Sequence, residues 1–289
     1  TGSRCCLILC TPDLTIAPAN AGVMFQKGSM PLNHFQKKLL DISSKTKGNA
    51  GYAARSSIRH INRSFELTNS MPEVSAFLAI TAEEEASTAL FLALKSKKYT
   101  EAKKLKKRNH NHKGGVYPFL MLVGETLNVK NHELPIQTTF EIPSDENNEV
   151  LRIRMFLGEF EGEDKFIYPD PPLNLVSVDP SGSPKDYLKD VRNVAQEKGI
   201  DSIYEHIKEV ANIRNKMLYA SDNAIPSVEN INEMLQRHIG ATLLIHMMYL
   251  FVIQHPKQNL VEECLNAFVK IQDRIESKET QIQLTSATH

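Results

Sequence analysis

A surplus of charge is the first thing this sequence lacks. Lys and Arg total 34 and Asp and Glu total 34, so the formal net charge is zero. A uniformly basic nucleic-acid coat is thereby excluded, whereas a local basic patch is not. Cysteine is scarce as well: Cys5, Cys6, Cys10 and Cys264 are the only four, and no CxxC pair faces another. A zinc site or a disulfide framework has no support, and a reducing, cytoplasmic setting is expected. No run reaches the roughly 18 apolar residues of a spanning helix. The longest, Ile239 to Ile253, is broken by Gly240, Thr242 and His246 and is expected in a core or a subunit interface. The apolar Cys5–Cys10 stretch is too short, and too poor in a cleavage signal, for a signal peptide. Internal repeats are absent. So is any Glu-x-x-His pair, which speaks against a carboxylate-bridged di-metal bundle. Neither a metal nor a cofactor is expected.

What remains is a chain of 289 residues, long enough for one large domain or two small ones. Residues 1–29 carry no sustained period, and Gly28-Ser29-Met30 resembles a cloning scar before a start methionine. They are expected to be a leader or tag-derived segment. Residues 30–130 read as helices: one capped by Asn33, one from about Ala50 to Leu67, and one with Pro72 in its first turn running to about Lys98. A basic helix over Lys103–Lys107 follows, broken at Gly114-Gly115, then a helix over Tyr117–Leu127. Residues 131–183 alternate with period two at 136–142 and 150–157, and predict strands of a small acidic β insertion. A third strand is expected at 165–168 or 174–178. Helices resume over 184–198, 202–219, 227–254 and 257–277, and residues 279–289 read as a flexible tail. The expected fold is mainly α, a helical bundle of 30–130 and 184–278 interrupted by a small antiparallel β insertion.

Three features could carry chemistry. The first is Glu83-Glu84-Glu85, in the middle of a helix that is apolar nearly all round. Successive residues lie 100° apart, so three carboxylates cannot all reach solvent, and a buried one needs a cation or donors. Glu84 is the first choice and Glu85 the second. The second is Arg214, on the apolar stripe formed by Ile203, Ile207, Val210, Met217 and Leu218, with Asn215 and Tyr219 beside it. A guanidinium there requires a carboxylate or an anion. An internal Arg–Glu strut accounts for the same pattern. The third is 95–113: Lys95, Lys97, Lys98, Lys103, Lys104, Lys106, Lys107, Arg108 and Lys113 face a single acid, Glu101, with His110 and His112 at the end. Such a segment attracts a polyphosphate, and the histidines can move protons near neutral pH. It also reads as a solvated basic face balanced by the acidic insertion, where residues 141–170 hold nine acids against Arg152, Arg154 and Lys165.

Together these features resemble the HEPN-domain proteins, and within them the AbiV-like abortive-infection group. Arg214-Asn215-Lys216-Met217-Leu218-Tyr219 is similar to the family's Arg-polar-x4–6-His motif, with Tyr219 in place of the histidine. The glutamate-bearing helix and His112-Lys113 look like AbiV-type features. The resemblance covers about 50–130 and 185–255. It implies a helical bundle that dimerises and cuts RNA without a metal at a cleft shared between subunits. On that basis Arg214, Asn215, Tyr219, Glu84, Glu85 and His112 would be catalytic. Lys103, Lys104, Lys106, Lys107, Arg108, His110 and Lys113 would bind RNA. A phenol with an ordinary pKa near 10 is a poor base at pH 7, so another group must take the 2′-hydroxyl proton. His110, His112 or a glutamate are the candidates. Arg55 and His60, a literal Arg-x4-His match, form the second-choice site. The expected function is antiphage defence by RNA cleavage in a homodimer, under the control of an inhibitory or phage-derived protein partner and with no membrane involved. The other reading is a non-catalytic helical module that binds RNA or protein, as in a toxin–antitoxin or phage-sensing system.

Overall fold

The computed structural model describes residues 5–6, 30, 32–127, 137–143, 149–174, 183, 189, 228 and 230–286. It is mainly helical with a small antiparallel sheet. The N-terminal helices are α1 (His34–Lys45), α2 (Gly48–Leu67) and α3 (Pro72–Ser96). A 3-10 turn (Thr100–Lys104) leads to α4 (His110–Gly114) and α5 (Val116–Leu127). Two long helices close the chain, α6 (Ile231–Gln254) and α7 (Asn259–Ser286). Of the expected helices at 184–198 and 202–219 only Lys189 is described, and it is helical; the rest lie outside the described residues.

Local chemistry explains most of the helix ends. Asn33 closes a full capping box with Gln36 at the start of α1, and Asn230 caps α6 through Glu233 N. Pro72 opens α3 in its first turn, and the N-cap, Met71, makes no side-chain cap hydrogen bond. α2 starts at Gly48, two residues before the expected start at about Ala50. Gly51 is forced by the α1–α2 turn, because a Cβ there would run into the Thr46 carbonyl. α7 continues to Ser286, through residues that the polarity of the sequence predicts to be loose.

α3 is the centre of the molecule. Ala76, Ala79, Ala82, Ala86, Ala89 and Ala93 are fully buried along it. These small side chains let α2 approach closely, and Ser57 of α2 reaches across to donate to Ala82 O at 2.7 Å. α6 packs on another side of α3. The apolar run Ile239–Ile253 lies within α6, and Ile239, Leu243, Leu244, Leu250 and Phe251 are buried in the core. Among the described residues, no helix is long and apolar enough to cross a membrane.

The sheet consists of β2 (Gln137–Glu141), β3 (Arg152–Phe160) and β4 (Glu163–Ile167), antiparallel in sequence order. β1 (Cys5–Cys6) pairs with β2 opposite Phe140 and Thr139, so this part of the N-terminal segment joins the sheet. β4 is the third strand expected from the alternation; of the rival range 174–178, only Asn174 is described, and it is not in a strand. The sheet is no separate appendage. Phe140 packs on Phe251 of α6 at 5.5 Å between centroids, and Leu151 is fully buried. Gln254 and His255, at the end of α6, hydrogen-bond the backbone of Glu149 and Leu151.

Candidate functional site

Three of the sequence's nine-cation segment, Lys106, Lys113 and Lys104, end on carboxylates, and Lys113 does so inside the protein. The expected basic helix over Lys103–Lys107 does not form. Instead the chain makes the 3-10 turn and then an extended stretch, because Leu105 is drawn into the core and its carbonyl accepts from Lys95 Nζ at 2.7 Å. Asn109 then caps α4, accepting from Asn111 N and His112 N. On α4, His110 and Lys113 are three residues apart and share a face, while His112 points elsewhere.

That shared face meets Glu84. Lys113 Nζ donates to Glu84 Oε2 at 2.8 Å, and His110 Nδ1 lies 2.8 Å from Oε1. Glu84 and Lys113 are buried, whereas the His110 side chain is 47% exposed. The network therefore runs from the interior to the surface. One residue earlier, Glu83 Oε2 pairs with His238 Nδ1 of α6 at 2.7 Å, and both groups are buried. Ser87 Oγ sits 3.1 Å from both the Glu83 and Lys113 carbonyls, bracing α4 on α3. Burial, with the Glu83 carboxylate nearby, pushes the Tyr117 phenol up and keeps it protonated.

His112 joins a second cluster. Its Nδ1 accepts from Lys106 N at 3.3 Å, so Nε2 carries the proton and donates to Glu276 Oε1 at 3.1 Å. Burial lowers the His112 pKa and favours this neutral form. Lys106 Nζ reaches both oxygens of Glu276, at 2.6 and 2.7 Å, and holds that carboxyl below the usual range. Lys104 meets Glu101 and, at 3.7 Å, Asp273 of α7. Among the described residues, the basic segment is thus balanced by α7 and not by the acidic insertion. Lys103, Lys107 and Arg108 are exposed and make no ion pair among the described residues.

The remaining candidates divide. Glu85 is only half-buried, and its charge acts on His60, whose pKa is nevertheless lowered, by burial first and by Arg59 next. Arg55 and His60 do not converge. Five residues turn a helix by 140°, and Arg55 Nη1 is taken up by the Ser44 and Thr46 carbonyls at the end of α1. Arg214, Asn215 and Tyr219 lie outside the described residues. Sequence reasoning missed His238 and Glu276. A signal existed for the first: His238, Thr242 and His246 recur every four residues along an otherwise apolar helix. Glu276 carries none, being an ordinary acid on an amphipathic helix. Among the described residues, no three His, Cys, Asp or Glu side chains gather to hold a metal ion. The chain matches no protein-family model, no curated protein and no solved structure.

Proposed function

We propose that the protein is an HEPN-type, AbiV-like abortive-infection ribonuclease of the cytoplasm, cutting RNA without a metal at a composite site in a homodimer. The observation that carries this reading is the grip of Lys113 and His110 on the buried Glu84. It joins the glutamate-bearing helix to the His-Lys segment in one network that ends in an exposed imidazole. Glu84 engages Nδ1 of His110, so the neutral ring carries its basic lone pair on Nε2. A base there removes the 2′-hydroxyl proton. The 2′-oxygen then attacks phosphorus and the P–O5′ bond breaks, its oxygen taking up a proton, to leave a 2′,3′-cyclic phosphate and a 5′-hydroxyl. In this reading Arg214 stabilises the charge that develops on the phosphate, Asn215 and Tyr219 orient it, and Lys103, Lys107 and Arg108 guide the strand. An inhibitory or phage-derived protein partner controls the activity.

Purified protein incubated with total RNA and a chelator tests the reading. Cleavage is expected to survive chelation and to fall at least a hundredfold in Arg214→Ala and His110→Ala, on the general acid–base scale of about 10²–10⁴. Undiminished cutting by both variants removes the site assignment.

A second reading is favoured by one observation: Glu83, Glu84, Lys113 and His238 are all nearly sealed from solvent, as internal struts would be. The protein is then a non-catalytic helical module binding RNA or protein. Intact RNA in the same assay, together with RNA binding, decides for it.

A further inference from the structure

Three guanidiniums stand in a row on α2, away from the Glu84 network. Arg55, Arg59 and Arg63 are spaced i, i+4 and i+8, which puts them on one helix face with about 6 Å of rise per step. They line an open cleft of about 340 Å³ that also holds Asn62 and one carboxylate, Glu66. Arg59 and Arg63 are exposed and make no ion pair among the described residues. Arg55 is fixed at the head of the row. Its Nη1 donates to the Ser44 and Thr46 carbonyls, both at 2.8 Å, and its guanidinium carbon sits 4.7 Å from the centre of the Tyr52 ring. That ring is 67% exposed, so Arg55 backs one side of an aromatic plate that otherwise faces water.

We infer that this face of α2 is a binding track for single-stranded nucleic acid, with Arg59 and Arg63 on successive phosphates and Tyr52 as a stacking platform for a base. A planar guanidinium fork matches two phosphate oxygens. A helical row repeats those forks at an interval close to that of an extended phosphodiester chain. The aromatic ring selects the ligand. A simple anion or an acidic peptide uses the guanidiniums and leaves Tyr52 idle, and the bases of a duplex are paired and stacked where the ring cannot reach them. Cation–π contact from Arg55 holds the plate in place before a base arrives. The choice of ligand rests on the RNA reading above, but the track depends on neither Arg214 nor cleavage.

The test is fluorescence anisotropy of a labelled oligouridylate with the full chain, between about 50 and 200 mM salt. Arg59→Gln/Arg63→Gln is expected to weaken binding on the order of tenfold and to make the salt slope shallower by about 1.4, at roughly 0.7 per phosphate contact. Tyr52→Ala is expected to weaken binding by about tenfold with the slope unchanged. All three residues are exposed, so melting temperatures should stay within a few degrees of the parent. Unchanged affinity in the arginine double variant, with loss in Lys103→Ala/Lys107→Ala/Arg108→Ala, overturns the track and leaves the RNA reading standing. Loss in the arginine variant but none in Tyr52→Ala overturns it in favour of a plain polyanion site. A parent protein that binds no oligouridylate overturns both. Binding that needs the α2 residues while total RNA stays uncut supports the track and removes the nuclease.

Discussion

Lys113 Nζ lies 2.8 Å from Glu84 Oε2, with the two side chains only 8% and 9% exposed. The cation is the only one of the run's nine that is buried, so one lysine of the run has been carried into the interior. Burying both charges is costly, and what offsets the cost is geometry: one carboxylate oxygen takes the ammonium and the other takes His110.

Removing one partner should therefore be worse than removing both. Lys113→Met takes the ammonium away from a buried carboxylate, and Glu84→Leu takes the carboxylate away from a buried ammonium. Each is expected to cost about 3 kcal/mol in urea unfolding, while the double variant recovers part of the loss. Additive single losses would show that the groups are not coupled.

His246 gives the molecule a pH dependence. It is wholly buried, and desolvation lowers its pKa from 6.5 to about 4. The unfolded chain binds this proton more readily than the folded one. The stabilising contribution is thus complete above pH 6.5 and is lost as pH falls toward 4, by about 3 kcal/mol in all. Urea midpoints taken from pH 7 to pH 4 should fall less in His246→Gln than in the parent. Parallel curves would mean that His246 does not carry the effect.

Ser57 is the partner that makes His246 tolerable. Its hydroxyl donates to Ala82 O at 2.7 Å and accepts from His246 Nε2 at 3.1 Å. Ser57→Ala leaves the His246 N–H unpaired between packed helices, while the Ala82 carbonyl keeps its place in the α3 ladder, and a loss of about 2 kcal/mol is expected by chemical denaturation. The cost should nearly vanish in a His246→Leu background if the imidazole is the group left stranded.

Cys264 lines an apolar cavity between α3, α5, α6 and α7, with Leu90, Phe119, Leu244 and Phe268. Burial, and then the neighbouring Glu263, pushes its thiol up to about 12. Thiolate is the reactive form. Peptide-resolved mass spectrometry should find Cys264 unalkylated by iodoacetamide in native protein at pH 8, and fully labelled in urea. Rapid native labelling would place the sulfur in a more open setting.

Local pattern made several of these elements legible in advance. Asn33 and Gln36 spell a capping box, and period-two alternation gives β2 and β3. An apolar helix with three consecutive acids must bury at least one, and it buries Glu83 and Glu84. Each of these follows from neighbours in the chain, where helix or strand geometry alone fixes which face a residue occupies. The basic run misled for a complementary reason. Charge count says that Lys103–Lys107 prefers water, but not that buried Leu105 would unwind the helix and return the chain to α3.

Which carboxylate meets which cation was decided only in three dimensions. Glu83 finds His238 across 155 positions and Glu276 finds His112 across 164, while Glu84 collects Lys113 and His110 from a five-residue helix. Such pairings depend on how α3, α4, α6 and α7 pack, and packing is a sum over many apolar contacts that no short window of sequence contains. The sequence alone determined that this protein has a charged helix in its interior. Its tertiary structure chose the partners that make that charge bearable.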